Sequence, residues 1–207
     1  MGNQTRMKLI EVATELFAVK GFAAVSVREL TETAQVNVSA ISYHFNGKEG
    51  LYEAVLLEQL SPILEILRGV DKTDSSSPVD RLTFYADQVA HIHAQRPFLS
   101  RFIYSEATNP TEYGRPIIEK HLLQAYQFIN STLQEGIAEG YFRDDLNVIH
   151  AAVALVGILN FYFIAKPLVL ELFPFVKQEN SETEYVAQAF RVYLHGVIKE
   201  TAVQKPE

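Results

Sequence analysis

The spacing of apolar residues leaves one fold class open to this chain. Leu, Ile, Val, Phe and Ala recur at three- and four-residue intervals along nearly the whole sequence, and the period-two alternation that builds half-buried strands is missing. The sequence therefore predicts an all-α protein. From Thr5 to Lys20, Leu9, Ala13, Leu16 and Phe17 share one helical face, and Gly21 follows where a left-handed cap is wanted. Ser26 and Glu29 have the capping-box spacing, so a short second helix is expected with Val27, Leu30, Thr31 and Ala34 on its inner face. Asn37 is a residue type that opens helices, and a third is expected from it with Val38, Ile41 and Phe45 inside.

Only Gln35 to Asn37 separates the second helix from the third, the length of a helix-turn-helix connection. Gly47-Lys48-Glu49 then opens a long helix through Leu51, Val55, Leu60, Ile63, Leu64 and Leu67, which stops at the linker-like DKTDSSSP of residues 71–78. Further helices are expected near 78–95, 96–108, 113–140, 146–172 and 182–203, punctuated at Pro97, Pro110, Gly140 and Pro174.

Composition narrows the chemistry. The 207 residues include no cysteine, which removes disulfides, thiolate metal sites and thiol nucleophiles. The N-terminus is punctuated by polar residues and lacks the apolar segment of a signal peptide, so a cytoplasmic protein is expected. The most apolar run, VIHAAVALVGILNFYFIA at 148–165, contains His150 and Asn160 and reads as a buried helix rather than a bilayer span. No Gly-rich phosphate loop, no His pair at i,i+4 and no Glu-x-x-His occurs, and His91 and His93 fall on different sides of a helix. No catalytic residue, metal site or cofactor is expected, and the chain is not read as an enzyme.

Net charge is −7, and the first 60 residues alone hold five Lys/Arg against seven Glu, a net −2. Bulk charge therefore gives no support for a nucleic-acid partner, and the case rests on where individual groups point. With Val38, Ile41 and Phe45 turned inward, a helical step of about 100° turns Ser39, Ser42 and Tyr43 outward, flanked by Ala40 and His44. Such a face is small enough to approach the floor of a DNA major groove, where hydroxyls meet base edges or phosphates and alanine meets a thymine methyl. Lys48, Ser26 and Arg28 sit at the starts of neighbouring helices, where an anion is favoured.

The order of these features carries a resemblance. The stretch TRMKLIEVATELFAVKGFAAVSVRELTETAQVNVSAISYHFNGKEGLYEAVL resembles the DNA-binding module of the tetracycline-repressor (TetR) family of one-component transcriptional regulators, through Ala13, Leu16-Phe17, Gly21-Phe22, Ser26-Val27, Ala34, Val36-Asn37, Tyr43-His44-Phe45 and Lys48-Glu49. The resemblance implies a three-helix helix-turn-helix module over residues 1–50, joined by a long helix to a helical effector-binding and dimerisation domain over 51–207. It implies that Val38 to Phe45 is the recognition helix, and that Ser26, Arg28, Val38, Ser39, Ala40, Ser42, Tyr43, His44 and Lys48 face DNA. Three positions depart from the family habit: Ser42 where tyrosine is frequent, Gln35 where glycine is frequent, and Val38 where Lys or Arg is frequent. With no Lys or Arg on this helix, the common bidentate contact to guanine is not available from it.

The same resemblance implies a homodimer on a pseudo-palindromic operator, acting as a repressor released by a small, largely apolar effector. Its last two helices are expected to supply the dimer interface through Leu155, Ile158, Tyr162, Val186, Phe190, Tyr193 and Val197. Tyr85, Phe98, Phe102, Tyr126, Asn130, Asn160 and Phe161 are the expected effector-pocket residues, with His121 and His150 as further polar candidates. A helical dimer that binds a ligand or protein partner without DNA is the competing expectation.

Overall fold

A computed structural model describes residues 2–70, 76–173 and 181–199 of the chain. Its helices are α1 (Gly2–Lys20), α2 (Val27–Ala34), α3 (Ser39–Phe45), α4 (Lys48–Val70), α5 (Pro78–Gln95), α6 (Leu99–Thr108), α7 (Arg115–Ala138), α8 (Val148–Leu172) and α9 (Ser181–Val197). The all-α expectation holds. Among the described residues the one sheet-like pairing is an isolated antiparallel bridge between Phe142 and Ile198.

Local chemistry sets the boundaries. Gly21 ends α1 at φ +80°, its N–H donating to the Phe17 carbonyl at 2.9 Å. Ser77 caps α5 reciprocally with Asp80: the Asp80 N–H donates to Ser77 Oγ at 3.2 Å and the Ser77 N–H to Asp80 Oδ2 at 3.1 Å. Asn147 caps α8 by accepting from the His150 N–H at 3.0 Å. One breaker was not foreseen: Pro62 lies inside α4 and leaves the Glu58 carbonyl without its helical donor, and the Ser61 hydroxyl donates there at 3.4 Å. The expected linker falls largely on residues 71–75, and the end of the expected last helix on 200–203, both outside the described residues.

Two compact units result, one of residues to Pro62 with Arg96–Leu122, the other of Ile63–Gln95 with the chain from Leu123 on. The first is built around Leu9, Ala13, Phe17, Leu30, Ile41 and Leu51, with Tyr52 packing edge-on to Phe17 at 5.1 Å and contacting Phe22 at 4.8 Å and Phe102 at 6.3 Å. The second is a core of Leu82, Tyr85, Val89, Ile129, Leu133, Leu155, Leu159, Phe163, Val186 and Phe190 among others. The compact units do not follow the expected division at residue 50: α6 and the first turns of α7 group with the N-terminal helices.

Candidate nucleic-acid interface

The helix-turn-helix is fixed by short-range bonds that the sequence specifies residue by residue. Ser26 is the N-cap of α2 in extended backbone, its Oγ accepting the Glu29 N–H at 3.1 Å. Lys20, bonded to the Glu29 carboxylate, and the Ser26 N–H together hold that carboxyl below its ordinary range. Gln35 ends α2 in the left-handed region, φ 52°, with its N–H on the Glu32 and Thr31 carbonyls. The turn then closes through Asn37, whose Oδ1 accepts from the Ser39 N–H at 2.9 Å and the Ser39 hydroxyl at 2.8 Å.

The third helix starts one residue later than expected. Asn37 acts from the turn, and Val38 holds the N-cap position with no side-chain bond. Placing Val38 on the inner face is thereby corrected: it precedes the first helical turn and is 57% exposed, while Ile41 and Phe45 are the buried anchors. Opposite these anchors lie Ser39, Ser42 and Tyr43, all exposed, with Ala40 and His44 half-buried at the margins. Tyr43 is 82% exposed and its ring meets the His44 ring edge at 4.8 Å.

The end of α3 is locked to α4. Asn46 closes α3 at φ 61°, and Gly50 approaches so tightly that a Cβ there would lie 1.9 Å from the Phe45 carbonyl oxygen. Only glycine permits that approach. Lys48 starts α4 with its ammonium 4.3 Å from the Phe22 ring centroid. Arg28, by contrast, is bound to Glu32 at 2.6 Å across one turn of α2, with both side chains largely exposed.

Glu106 is a functional-site candidate that the sequence did not single out. It is 4% exposed and accepts from three uncharged donors, the Tyr52 hydroxyl at 2.6 Å, the Thr111 N–H at 2.8 Å and the Thr111 hydroxyl at 3.0 Å. Burial and then the Glu106 bond push the Tyr52 phenol far above its ordinary value. The carboxylate thus ties α6 and the turn after it to α4, the helix that follows α3. It also borders a recess of about 300 Å³ with Ala107, Pro110, Arg115, Ile118, Glu119 and Leu122.

The residues expected to form the pocket are divided between the two units. Phe102 is buried against Tyr52 in the first unit, where Phe98 precedes α6 half-buried. In the second unit Tyr85 packs tilted against Phe128 with ring centroids 5.9 Å apart, and the Tyr126 hydroxyl donates to Asn130 at 3.5 Å. Phe161 is 64% exposed on the outer surface of α8. Asn160 proves the most informative: its amide donates to the Val156 carbonyl at 2.8 Å, so its Oδ1 accepts from His93 Nε2 at 2.9 Å. Phe163 stacks on the same imidazole at 3.8 Å, and burial lowers the His93 pKa from its ordinary 6.5. Of the other polar candidates, His121 is buried with its Nδ1 on the Ile117 carbonyl, and His150 is exposed.

The expected dimer residues are also relocated. Leu155, Tyr162, Val186, Phe190, Tyr193 and Val197 are buried in the core of their own unit, and Ile158 packs half-buried against it. These side chains fill the chain's own interior, so the surface open to a second copy is another set. On α8 it is Ile149, Val153, Phe161, Leu168 and Leu172, all exposed, about half a turn from the buried stripe. The helix is long and apolar enough to cross a membrane by length and composition, and it is apolar on both its buried and its exposed face.

Among the described residues no cluster of metal-ligating side chains occurs. The chain matches two family models, one described as bacterial regulatory proteins of the tetR family over residues 9–55, the other as a tetracyclin repressor-like C-terminal domain over 78–190. It is 31% identical over 151 residues to the HTH-type transcriptional repressor KstR2 of Mycobacterium tuberculosis (strain ATCC 25618 / H37Rv), covering 70% of this chain and 73% of that one. It is 36% identical over 136 residues to "Probable HTH-type transcriptional regulator YttP" of Bacillus subtilis (strain 168), a match that spans 64% of each chain. A solved structure of the ketosteroid transcriptional regulator KstR2 of Mycobacterium tuberculosis has the same fold, with TM-score 0.71 and 22% identity over 94% of this chain and 95% of that chain.

Proposed function

Starting from the chain's membership of the TetR family of bacterial regulatory proteins, we propose that it is a one-component repressor that binds a pseudo-palindromic operator as a homodimer and leaves it when a small, largely apolar effector binds. The observation that carries this reading is the outer face of α3: Ser39, Ser42 and Tyr43 stand exposed on a short helix whose Ile41 and Phe45 are anchored inside. An exposed tyrosine on a seven-residue helix has no packing role. Hydroxyls, an imidazole and a phenol are the groups that meet phosphates and base edges.

Residues 1–50 are assigned to operator binding and 51–207 to effector binding and dimerisation. Val38, Ser39, Ala40, Ser42, Tyr43 and His44 read the groove, and Ser26 and Lys48 meet phosphates. Arg28 does so by giving up Glu32. The second copy seats on the outer stripe of α8 around Val153 and Phe161, with Val192 of α9 beside it; two-fold pairing then presents two α3 helices to the two half-sites. The Tyr52–Glu106 bond is the element of the first unit through which a shift of α6 reaches α4. Effector and operator must weaken each other reciprocally. We assign the protein no catalytic activity and a cytoplasmic location.

The test is to incubate the purified protein with fragmented genomic DNA of its source and sequence what it retains. A few enriched fragments sharing an inverted repeat support the reading. Retention of no specific fragment, after any bound ligand has been stripped, overturns it.

A further inference from the structure

A recognition helix without Lys or Arg leaves the attraction for a polyanion to its neighbours. The first 60 residues offer Arg6, Lys8, Lys20, Arg28 and Lys48. Lys20 and Arg28 are neutralised by Glu29 and Glu32. Arg6 is held differently: its guanidinium carbon lies 5.4 Å from the centroid of Phe45, the buried anchor at the end of α3. One turn earlier on the same face of α1, a Cβ at Gly2 would lie 3.8 Å from His44 Cε1. This face of α1 therefore borders the exposed end of the recognition helix, and Lys8, about 200° further round, does not share it.

A ring face holds a cation in place without cancelling its charge or occupying its N–H donors. A carboxylate does both. We propose that Arg6 is a DNA-backbone contact of this regulator, positioned by Phe45 so that its guanidinium takes a phosphate beside the end of α3 occupied by Tyr43 and His44. The proposal rests on the DNA-binding reading above, and it adds a contact on α1 that the helix-turn-helix itself lacks. A phosphate contact fixes register and strength without reading sequence.

The experiment measures binding of the full-length protein to a labelled duplex of arbitrary sequence across a salt series, for wild type, Arg6→Ala, Arg6→Lys, and Phe45→Leu with and without Arg6→Ala. Each lost phosphate contact lowers the slope of log K against log salt by about 0.9, so Arg6→Ala in a two-fold dimer is expected to lower it by about 1.8. Arg6→Lys should keep most of the slope. Phe45→Leu should reduce binding in the wild-type background and change the slope no further once Arg6 is gone. Alanine suits an exposed helix position, so folding is not at risk. A steep wild-type slope unchanged in Arg6→Ala overturns the contact alone. No salt-dependent binding by wild type overturns the DNA-binding reading with it.

Discussion

The N-terminal helices and the α8–α9 layer use their side chains in opposite ways. Around α2 and α3, short helices are held by individual bonds at their ends, from Ser26, Asn37 and the close approach of Gly50, and the face proposed to meet DNA is what is left exposed. In α8 both faces are apolar: Leu155, Leu159 and Tyr162 are buried in the chain's own core, while Val153 and Phe161 stand exposed. The proposal for α3 therefore rests on polar residues that packing does not explain. The proposal for α8 rests on apolar residues that look like core until the burial of each is known.

The sharpest way to break that contrast is a pair of phenylalanines. Phe190 is 7% exposed, and Phe190→Ala is expected to cost about 3–5 kcal/mol in unfolding free energy. Phe161→Glu should leave the single chain folded with its helical content unchanged, because the side chain is 64% exposed and fills no part of the core. It should nevertheless give a monomer in sedimentation and weaken operator binding by roughly 10²–10⁴-fold, the avidity of two linked half-sites. If Phe161→Glu remains dimeric and Phe190→Ala becomes a folded monomer, the assignment of the two faces is reversed.

This is also where the sequence was least legible. Period and punctuation located the helices, because caps such as Ser26 and Gly21 act within a few residues of where they stand. The α3 face follows from the inward residues and a helical step, and of the three expected inside, Ile41 and Phe45 are buried. Val38 stands at the N-cap, before the first turn, and is 57% exposed. On α8 the pattern gives no phase, because an apolar residue every turn on every side fits any orientation. The Tyr52–Glu106 and His93–Asn160 bonds are illegible for a different reason: the partners lie 54 and 67 positions apart. No local spacing announces such a pair.

Glu106 offers the next largest effect. Tyr52→Phe keeps the ring among Phe17, Phe22 and Phe102 and removes only the hydroxyl that donates to the buried carboxylate. A bond to a charged acceptor is worth about 1.5–3 kcal/mol, and chemical denaturation should show a loss of that size. An unchanged midpoint would mean that the carboxylate's other donors, from Thr111, suffice.

His93 supplies a pH signature confined to the second unit. Burial depresses its folded-state pKa below the ordinary 6.5, against opposing contributions from the Asn160 bond and Glu182. The unfolded chain then binds the proton more readily, so stability is full above about pH 6.5 and falls as pH drops below it, towards the folded-state value. The slope from one such group is at most about 1.4 kcal/mol per pH unit. Thermal melts of wild type and His93→Leu between neutral and mildly acid pH should differ by this slope; parallel profiles would exclude the imidazole as its source.

The smallest expected effect tests the N-terminal side of the contrast, where bonds at helix ends matter more than burial. Gln35 sits at φ 52°, in the left-handed region that Asn46 also adopts at φ 61°, and glutamine is not among the short polar residues that visit it routinely. The left-handed conformation costs a residue with a Cβ about 1–2 kcal/mol. Glycine removes that cost but loses about 0.4–1 kcal/mol through the added freedom of its unfolded chain. Gln35→Gly should therefore stabilise the protein by about 0.5 kcal/mol in denaturant unfolding, with the turn geometry and operator affinity unchanged. A destabilisation would mean that the Gln35 side chain makes a contact in the turn stronger than the strain it bears, and the turn would then owe its shape to packing as α8 does.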